Sequence, residues 1–248
     1  MTNPAPSATL GRLYGIGLGP GDPELVTLKA SRLLASLPHV FAPKADETSG
    51  SIARSIAEAH AGSDVTFHEV VYPMTRDSAQ LEQRWQAAAL EVVEVLKTGQ
   101  DVGFITLGDP MLYSTFSYLM RAVQRLLPDV EVEVIPAVMS FAASAALTQF
   151  VLGEQDSLLT VAPTPDTELE LDALMSRGGR LVLMKVGKRL PMLMGWLHKR
   201  QLIEQARLVV RAGLPGQRII RDLDAITDPE RAGYLSTMLL DLEITGAR

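Results

Sequence analysis

Two short stretches concentrate the residue types that handle a small ligand. The first is Gly19-Pro20-Gly21-Asp22-Pro23, two glycines and two prolines around one carboxylate. The second is Leu107-Gly108-Asp109-Pro110-Met111-Leu112-Tyr113-Ser114-Thr115-Phe116, into which a largely apolar strand from Val102 to Leu107 runs without a break. Glycine lets a backbone approach a ligand closely and proline fixes the turn. Asp109 offers charge-assisted hydrogen bonds, while Ser114 and Thr115 offer hydroxyls with little side-chain entropy to lose. The plainer alternative is that Asp109 or Ser114 caps the helix that follows.

Other chemistries are narrowed or removed by composition. The chain has no cysteine, so thiol catalysis, disulfides and thiolate metal sites are excluded. Its histidines, His39, His60, His68 and His198, lack metal-ligand spacing and read as surface or hydrogen-bonded core residues, so no metal site is expected. A formal charge of -6 argues against a nucleic-acid partner. No window approaches the roughly 20 apolar residues of a membrane span, and residues 1–10 read as a flexible tail rather than a signal peptide. A soluble, cytoplasmic protein is the expectation. The glycines at 15, 17 and 19 imitate a dinucleotide fingerprint, but the first two fall inside a strand and Pro20 interrupts the pattern. Glycine inside a strand marks close approach of another group instead.

The elements that must position these stretches alternate. Residues 12–18 form a first strand. Thr27 caps a helix with apolar residues at Ala30, Leu33, Leu34 and Leu37, and Pro38 ends it. Strands follow at residues 39–42 and 64–71, with a helix at 52–61 between them. A long helix then carries Leu81, Trp85, Ala88, Ala89, Val92 and Leu96 on one face and ends at Gly99. It delivers the chain to the strand before Gly108. Such alternation predicts an α/β fold with a parallel sheet. The second half reads differently: strands at 130–134, 158–161, 180–185, 207–212, 217–221 and 234–240 come with few helices, chiefly 142–147 and 191–201. That pattern predicts a mixed sheet, in a second α/β domain at residues 128–248 after a first at 11–127.

The two loops, with Pro136-Ala137-Val138-Met139-Ser140-Phe141 and Leu183-Met184-Lys185, resemble the tetrapyrrole (precorrin and uroporphyrinogen) methyltransferase family over residues 11 to about 240. Tyr72-Pro73-Met74 and the segment from Gly108 to Phe116 are most similar to the branch that methylates C20 of precorrin-2, giving precorrin-3A on the way to cobalamin. The resemblance implies a homodimer of two-domain subunits, with S-adenosylmethionine folded into the cleft between the domains and S-adenosylhomocysteine as product. Transferred by motif, the cofactor contacts are Pro20, Leu107, Gly108, Asp109, Leu112, Met139, Ser140, Met184, Ala212 and Gly213, with Ser114 and Thr115 as neighbours. Where the family commonly has Pro-Gly-Val, this chain has Ala137; a positive φ there would cost about 1 kcal/mol or more. Relatives acting on uroporphyrinogen place an aspartate after the second strand, where this chain has Pro43.

The implied reaction is C-methylation of a nucleophilic bridge carbon, which asks the protein for alignment and exclusion of water more than for a strong base. Tyr72, Tyr113 and Glu69 are the candidate proton acceptors. The implied substrate carries many carboxylates whereas the chain is net negative, so a local basic rim must supply recognition at distances inside the roughly 8 Å screening length. Candidates are Lys44, Arg54 and Arg76 in the first half, with Tyr72 beside them, and Lys185, Lys188 and Arg189 in the second. Alternatives within the resemblance are cobalt-precorrin-2 or another tetrapyrrole carbon, as in uroporphyrinogen III methylation. The alternative of another class is a non-catalytic nucleotide-binding regulatory module.

Overall fold

The structure is a computed structural model that describes residues 9–46, 48, 50–72 and 78–243. Residues 1–8 of the expected tail, and Pro73, Met74 and Arg76, lie outside the described residues. The chain divides into two compact units, Met1–Val138 and Met139–Arg248.

The first unit holds a five-stranded sheet. In chain order its elements are β1 (Leu13–Gly17), α1 (Leu28–Ser36), β2 (His39–Lys44), α2 (Ile52–Ala57), β3 (Thr66–Val71), α3 (Ser78–Leu96), β4 (Val102–Thr106), α4 (Phe116–Leu126) and β5 (Val132–Ile135). The strands are ordered β3-β2-β4-β1-β5 and every pairing is parallel. β1 and β4 are buried at every residue, as expected for interior strands of a sheet covered on both faces. Thr27 caps α1 as expected, its hydroxyl accepting from the Ala30 N–H at 3.2 Å. Gly99 closes the turn after α3 at φ +82, which favours glycine. On one face α3 and α4 pack Val92, Leu96, Leu119 and Val123 against Phe104 and Phe116.

The boundary expected at residue 128 moves to Val138–Met139. Alternation of Val130, Val132 and Val134 with Glu131 and Glu133 identified a strand with a wet face, but not its partner. β5 pairs with β1, Leu13 opposite Val132 and Ile16 opposite Ile135, and so belongs to the first sheet. The wet face carries ion pairs: Arg12 binds Glu131 and Glu133, and Lys29 binds Glu133.

The second unit contains α5 (Ser140–Thr148), β6 (Leu159–Pro163), α6 (Glu168–Met175), β7 (Arg180–Met184), α7 (Leu190–Lys199), β8 (Ala206–Val210), β9 (Arg218–Ile220), α8 (Pro229–Gly233) and β10 (Ser236–Asp241). Its sheet order is β6-β7-β10-β8-β9, with β6–β7 parallel and the other pairs antiparallel, the mixed sheet expected. Trp196, fully buried, anchors its main core with Leu181, Leu208 and Leu240. The helices α6 and α8 were absent from the sequence reading. For α6 the signal was present as a Thr-x-x-Glu spacing: Thr167 is the N-cap, its hydroxyl accepting from the Glu170 N–H at 3.3 Å and donating to Glu170 Oε2 at 2.7 Å. Among the described residues no helix is long and apolar enough to cross a membrane.

Candidate functional site

The two glycine-rich loops lie at the carboxyl ends of adjacent parallel strands, because β1 pairs with β4 with Gly17 opposite Thr106. Open α/β sheets bind ligands at such strand ends. The loops are joined directly: the Gly108 N–H donates to the Gly19 carbonyl at 2.7 Å, and the two glycines form an isolated antiparallel bridge. Both have left-handed φ, +77 at Gly19 and +78 at Gly108. A Cβ on Gly108 would meet nothing within 4 Å. The glycine is therefore demanded by conformation rather than crowding, and its backbone faces open space.

Glycines 15 and 17 explain how the loops come so close. A Cβ at Gly15 would stand 2.2 Å from Phe116 Cε1, and one at Gly17 would stand 2.6 Å from Ala137 Cβ and 2.8 Å from the Gly108 carbonyl oxygen. The close approach expected inside the strand is thus filled by the protein's own groups.

Asp109 is buried, and its two carboxylate oxygens have different partners. Oδ1 accepts from the Met111 N–H and Oδ2 from the Ala137 N–H, each at 2.9 Å. The carboxylate ties the loop after β4 to the loop after β5, a structural role in addition to any toward ligand. Ala137 lies outside the left-handed region, so the substitution of the family's glycine costs nothing in φ here, and its N–H is the group that Asp109 holds. Composition gave no hint of this pairing, which spans residues far apart in sequence. Ser114 matches the plainer reading: its hydroxyl accepts from the Phe116 N–H at the start of α4 and donates to Thr106 Oγ1, both at 3.1 Å. Thr115 precedes α4 without a side-chain cap bond. Pro20 is buried, Leu107, Gly108 and Leu112 are half-buried, and Tyr113 is exposed with a left-handed φ of +52.

Three other candidates from the first half converge. Lys44 Nζ lies 3.4 Å from Glu69 Oε2, and Arg54 bonds Glu69 at 3.1 Å and Glu58 at 2.9 Å. The hydrogen bond from Arg54, reinforced by Lys44, holds the Glu69 carboxyl below the usual range and weakens it as a proton acceptor. Its charge also offsets part of that of the two expected carboxylate binders. Tyr72 is buried in the core against Phe104, with ring centroids 6.2 Å apart, and among the described residues its hydroxyl has no hydrogen-bond partner. Burial pushes this phenol well above the usual tyrosine range, so it stays protonated.

In the second unit, Met139 precedes α5 and Ser140 opens it, with no side-chain cap over the helix start. Both residues are half-buried. Met184 ends β7 and is also half-buried; its carbonyl accepts from both the N–H and the hydroxyl of Thr164, at 2.7 and 2.9 Å. Thr164 is buried and was missed from sequence, because a lone threonine after a strand carries no pattern. Lys185 follows at φ +54, exposed. Arg189 is ion-paired with Asp166 at 2.8 Å, whereas Lys188 is exposed. The buried Ala212 leads into a turn with Gly213 at φ +73, whose N–H donates to Gln217 Oε1 at 2.7 Å.

The histidines are accounted for by local partners. His60 contacts Ser31 and the Pro23 carbonyl, His39 contacts His68 and Gln100, and His198 lies 2.8 Å from Asp224. No group of three or more His, Cys, Asp or Glu able to hold a metal occurs among the described residues.

Comparison with known proteins is consistent across sequence and structure. Cobalt-precorrin-2 C(20)-methyltransferase of Salmonella typhimurium is 35% identical over 231 residues, covering 93% of this chain and 96% of that one. Precorrin-2 C(20)-methyltransferase of a Sinorhizobium species is 29% identical, covering 93% and 95%. Among solved structures, a cobalt precorrin-4 methyltransferase superposes with a TM-score of 0.71 at 22% identity, covering 98% of this chain and all of that one. A family model described as Tetrapyrrole (Corrin/Porphyrin) Methylases matches residues 12–225. With that model spanning most of both units, the chain belongs to the tetrapyrrole methylases.

Proposed function

We propose that the protein is an S-adenosylmethionine-dependent C-methyltransferase that methylates C20 of precorrin-2, in its metal-free or cobalt form, during cobalamin biosynthesis. The observation that carries this reading is the Gly19–Gly108 bridge at the ends of β1 and β4, in a chain that matches a C20-methylating relative over 93% of its length. The cobalt form of the substrate is favoured by the higher identity to the Salmonella enzyme than to the Sinorhizobium enzyme.

The residues present suit the methyl donor. Gly108 leaves an open backbone face beside the half-buried Leu107 and Leu112, suited to an adenosine group. Met139 and Met184 offer polarisable apolar contact, and the uncapped start of α5 at Ser140 offers N–H groups to a carboxylate. Ala212 and Gly213 offer turn backbone, and Pro20 stiffens the first loop. Asp109, already bonded to two amides, acts first by fixing the loop that carries Gly108. When bound, S-adenosylmethionine supplies a methyl group activated by its sulfonium and is left as S-adenosylhomocysteine.

The chain's own contribution is orientation and exclusion of water. The C20 proton must leave after the new carbon–carbon bond forms. Tyr72 stays protonated and Glu69 is held ionised by Arg54 and Lys44, so neither is a tuned base; of the three candidates this leaves Tyr113, which is exposed in the loop after β4. We assign Lys44, Arg54, Arg76 and Lys185 to the substrate's carboxylates, and a homodimer as the working assembly.

Incubation with methyl-labelled cofactor and, separately, precorrin-2 and cobalt-precorrin-2 tests the reading, with the new methyl located by NMR. A label on C20 is expected. A label on any other carbon, or cofactor binding without turnover on either substrate, would refute it.

A further inference from the structure

Away from the glycine turns, the second unit carries an open groove of about 1180 Å³ that the reading above does not use. It begins at Val210 and Arg211, next to the Ala212–Gly213 turn, and runs along β9, the edge strand of the mixed sheet, to the start of α8. Its volume exceeds the roughly 300–1,000 Å³ of pockets that take drug-sized ligands. Ile219, Ile220 and Ile226 give it a half-buried apolar lining, and Tyr234, 46% exposed, adds an aromatic ring.

The rim is cationic and unspent. Arg218, Arg221 and Arg231 are exposed, and among the described residues none of the three guanidinium groups has a hydrogen bond or ion pair. Elsewhere in the same unit, Arg180, Arg189 and Arg200 are each held by a carboxylate. Arg211, the fourth cation, donates through Nε to the Pro215 carbonyl at 2.8 Å. Two acids line the groove, and each is engaged by a backbone amide: Asp222 accepts from the Asp224 N–H, and Asp228 from the Arg231 N–H, both at 3.1 Å. Like charges gathered without partners, in a chain of net charge -6, form a local positive field against the global one. Guanidinium groups bind carboxylates bidentately, so an apolar floor with an arginine rim selects a flat, greasy body bearing several carboxylate arms.

The geometry points to this groove as a recognition site for a polycarboxylate macrocycle, with Arg218, Arg221 and Arg231 taking acid arms and Tyr234 facing the ring. The inference rests on the proposed function for the identity of the macrocycle, and adds residues of the second unit that the reading above does not use.

The test is a fluorescence titration with an octacarboxylate porphyrin, a stable stand-in for the substrate, and with a dicarboxylate porphyrin of the same ring. The proteins are the unmodified chain, the triple variant R218Q/R221Q/R231Q and the surface control R177Q. The triple variant should bind the octacarboxylate about tenfold to hundredfold more weakly, from the sum of three exposed charge contacts. Its salt dependence should flatten, while S-adenosylhomocysteine affinity and melting temperature hold and R177Q behaves as the unmodified chain. The unmodified chain should prefer the octacarboxylate. Binding by the triple variant within twofold of the unmodified chain, equal binding of the two porphyrins, or no porphyrin binding at all would overturn the assignment. If the unmodified chain still methylates C20 in those cases, the groove assignment alone fails; if it neither binds nor methylates, the proposed function fails with it.

Discussion

Replacing Asp109 by asparagine separates a structural carboxylate from a ligand-binding one. Both oxygens accept backbone N–H groups, from Met111 and Ala137, and an amide presents one acceptor and one donor. Flipping the asparagine does not help, because either orientation sets an NH2 against an N–H. One charge-assisted bond is lost and one weakened, a cost of about 1.5–3 kcal/mol, since bonds to charged groups sit at the upper end of the hydrogen-bond range. For a unit of this size a loss near 2 kcal/mol lowers the melting temperature by about 4–8 °C. Melting followed by circular dichroism, with and without S-adenosylhomocysteine, reads both roles. The expected result is a clear drop in the unliganded protein, together with weaker cofactor binding because the Gly108 loop loses its tie to Ala137. A D109N protein that melts with the unmodified chain while losing only cofactor affinity would refute the structural role.

Gly15→Ala should cost at least about 1–3 kcal/mol as overpacking, because the new methyl would meet the Phe116 ring at 2.2 Å; adding Phe116→Leu should restore part of that, measured by urea denaturation. Tyr72→Phe removes a buried hydroxyl that lacks a partner among the described residues, so stability should hold or rise by about 1 kcal/mol, and kcat should stay within about twofold if the phenol is no base; a collapse of kcat would restore it as the proton acceptor. Glu69→Gln has a pH signature. The folded carboxyl is held down by Arg54 and Lys44, so its contribution is fully present above the ordinary value of 4.5 and is lost as pH falls through the lowered folded value. The difference in melting temperature between the unmodified chain and E69Q should therefore be constant near neutrality and shrink as pH falls below 4.5; a difference that does not shrink at all on acidification would contradict the ion-pair account.

Much of this was legible in the residue order. Alternation of strand and helix gave the parallel sheet, Thr27 and Gly99 marked helix ends, and the two glycine-proline loops marked the strand ends that matter, because each signal is local and the chemistry of a turn or cap is written in neighbouring residues. A signal that was local but unread is the Thr167 N-cap of α6, with Glu170 three residues on. What the order alone could not supply is pairing across distance. Val132 alternates with Glu133 whichever sheet receives it, and the hydrogen bonds of β1 put β5 in the first unit rather than the second. Asp109 reads as a ligand group until Ala137, remote in sequence, is seen to donate to it, and Glu69, Lys44 and Arg54 read as three separate sites until β2, α2 and β3 bring them into one ion-pair cluster. Residue types determined which chemistry was present; folding decided which of those groups remain available, since a polar side chain that finds a partner within the chain is spent, and one that does not is left for a ligand.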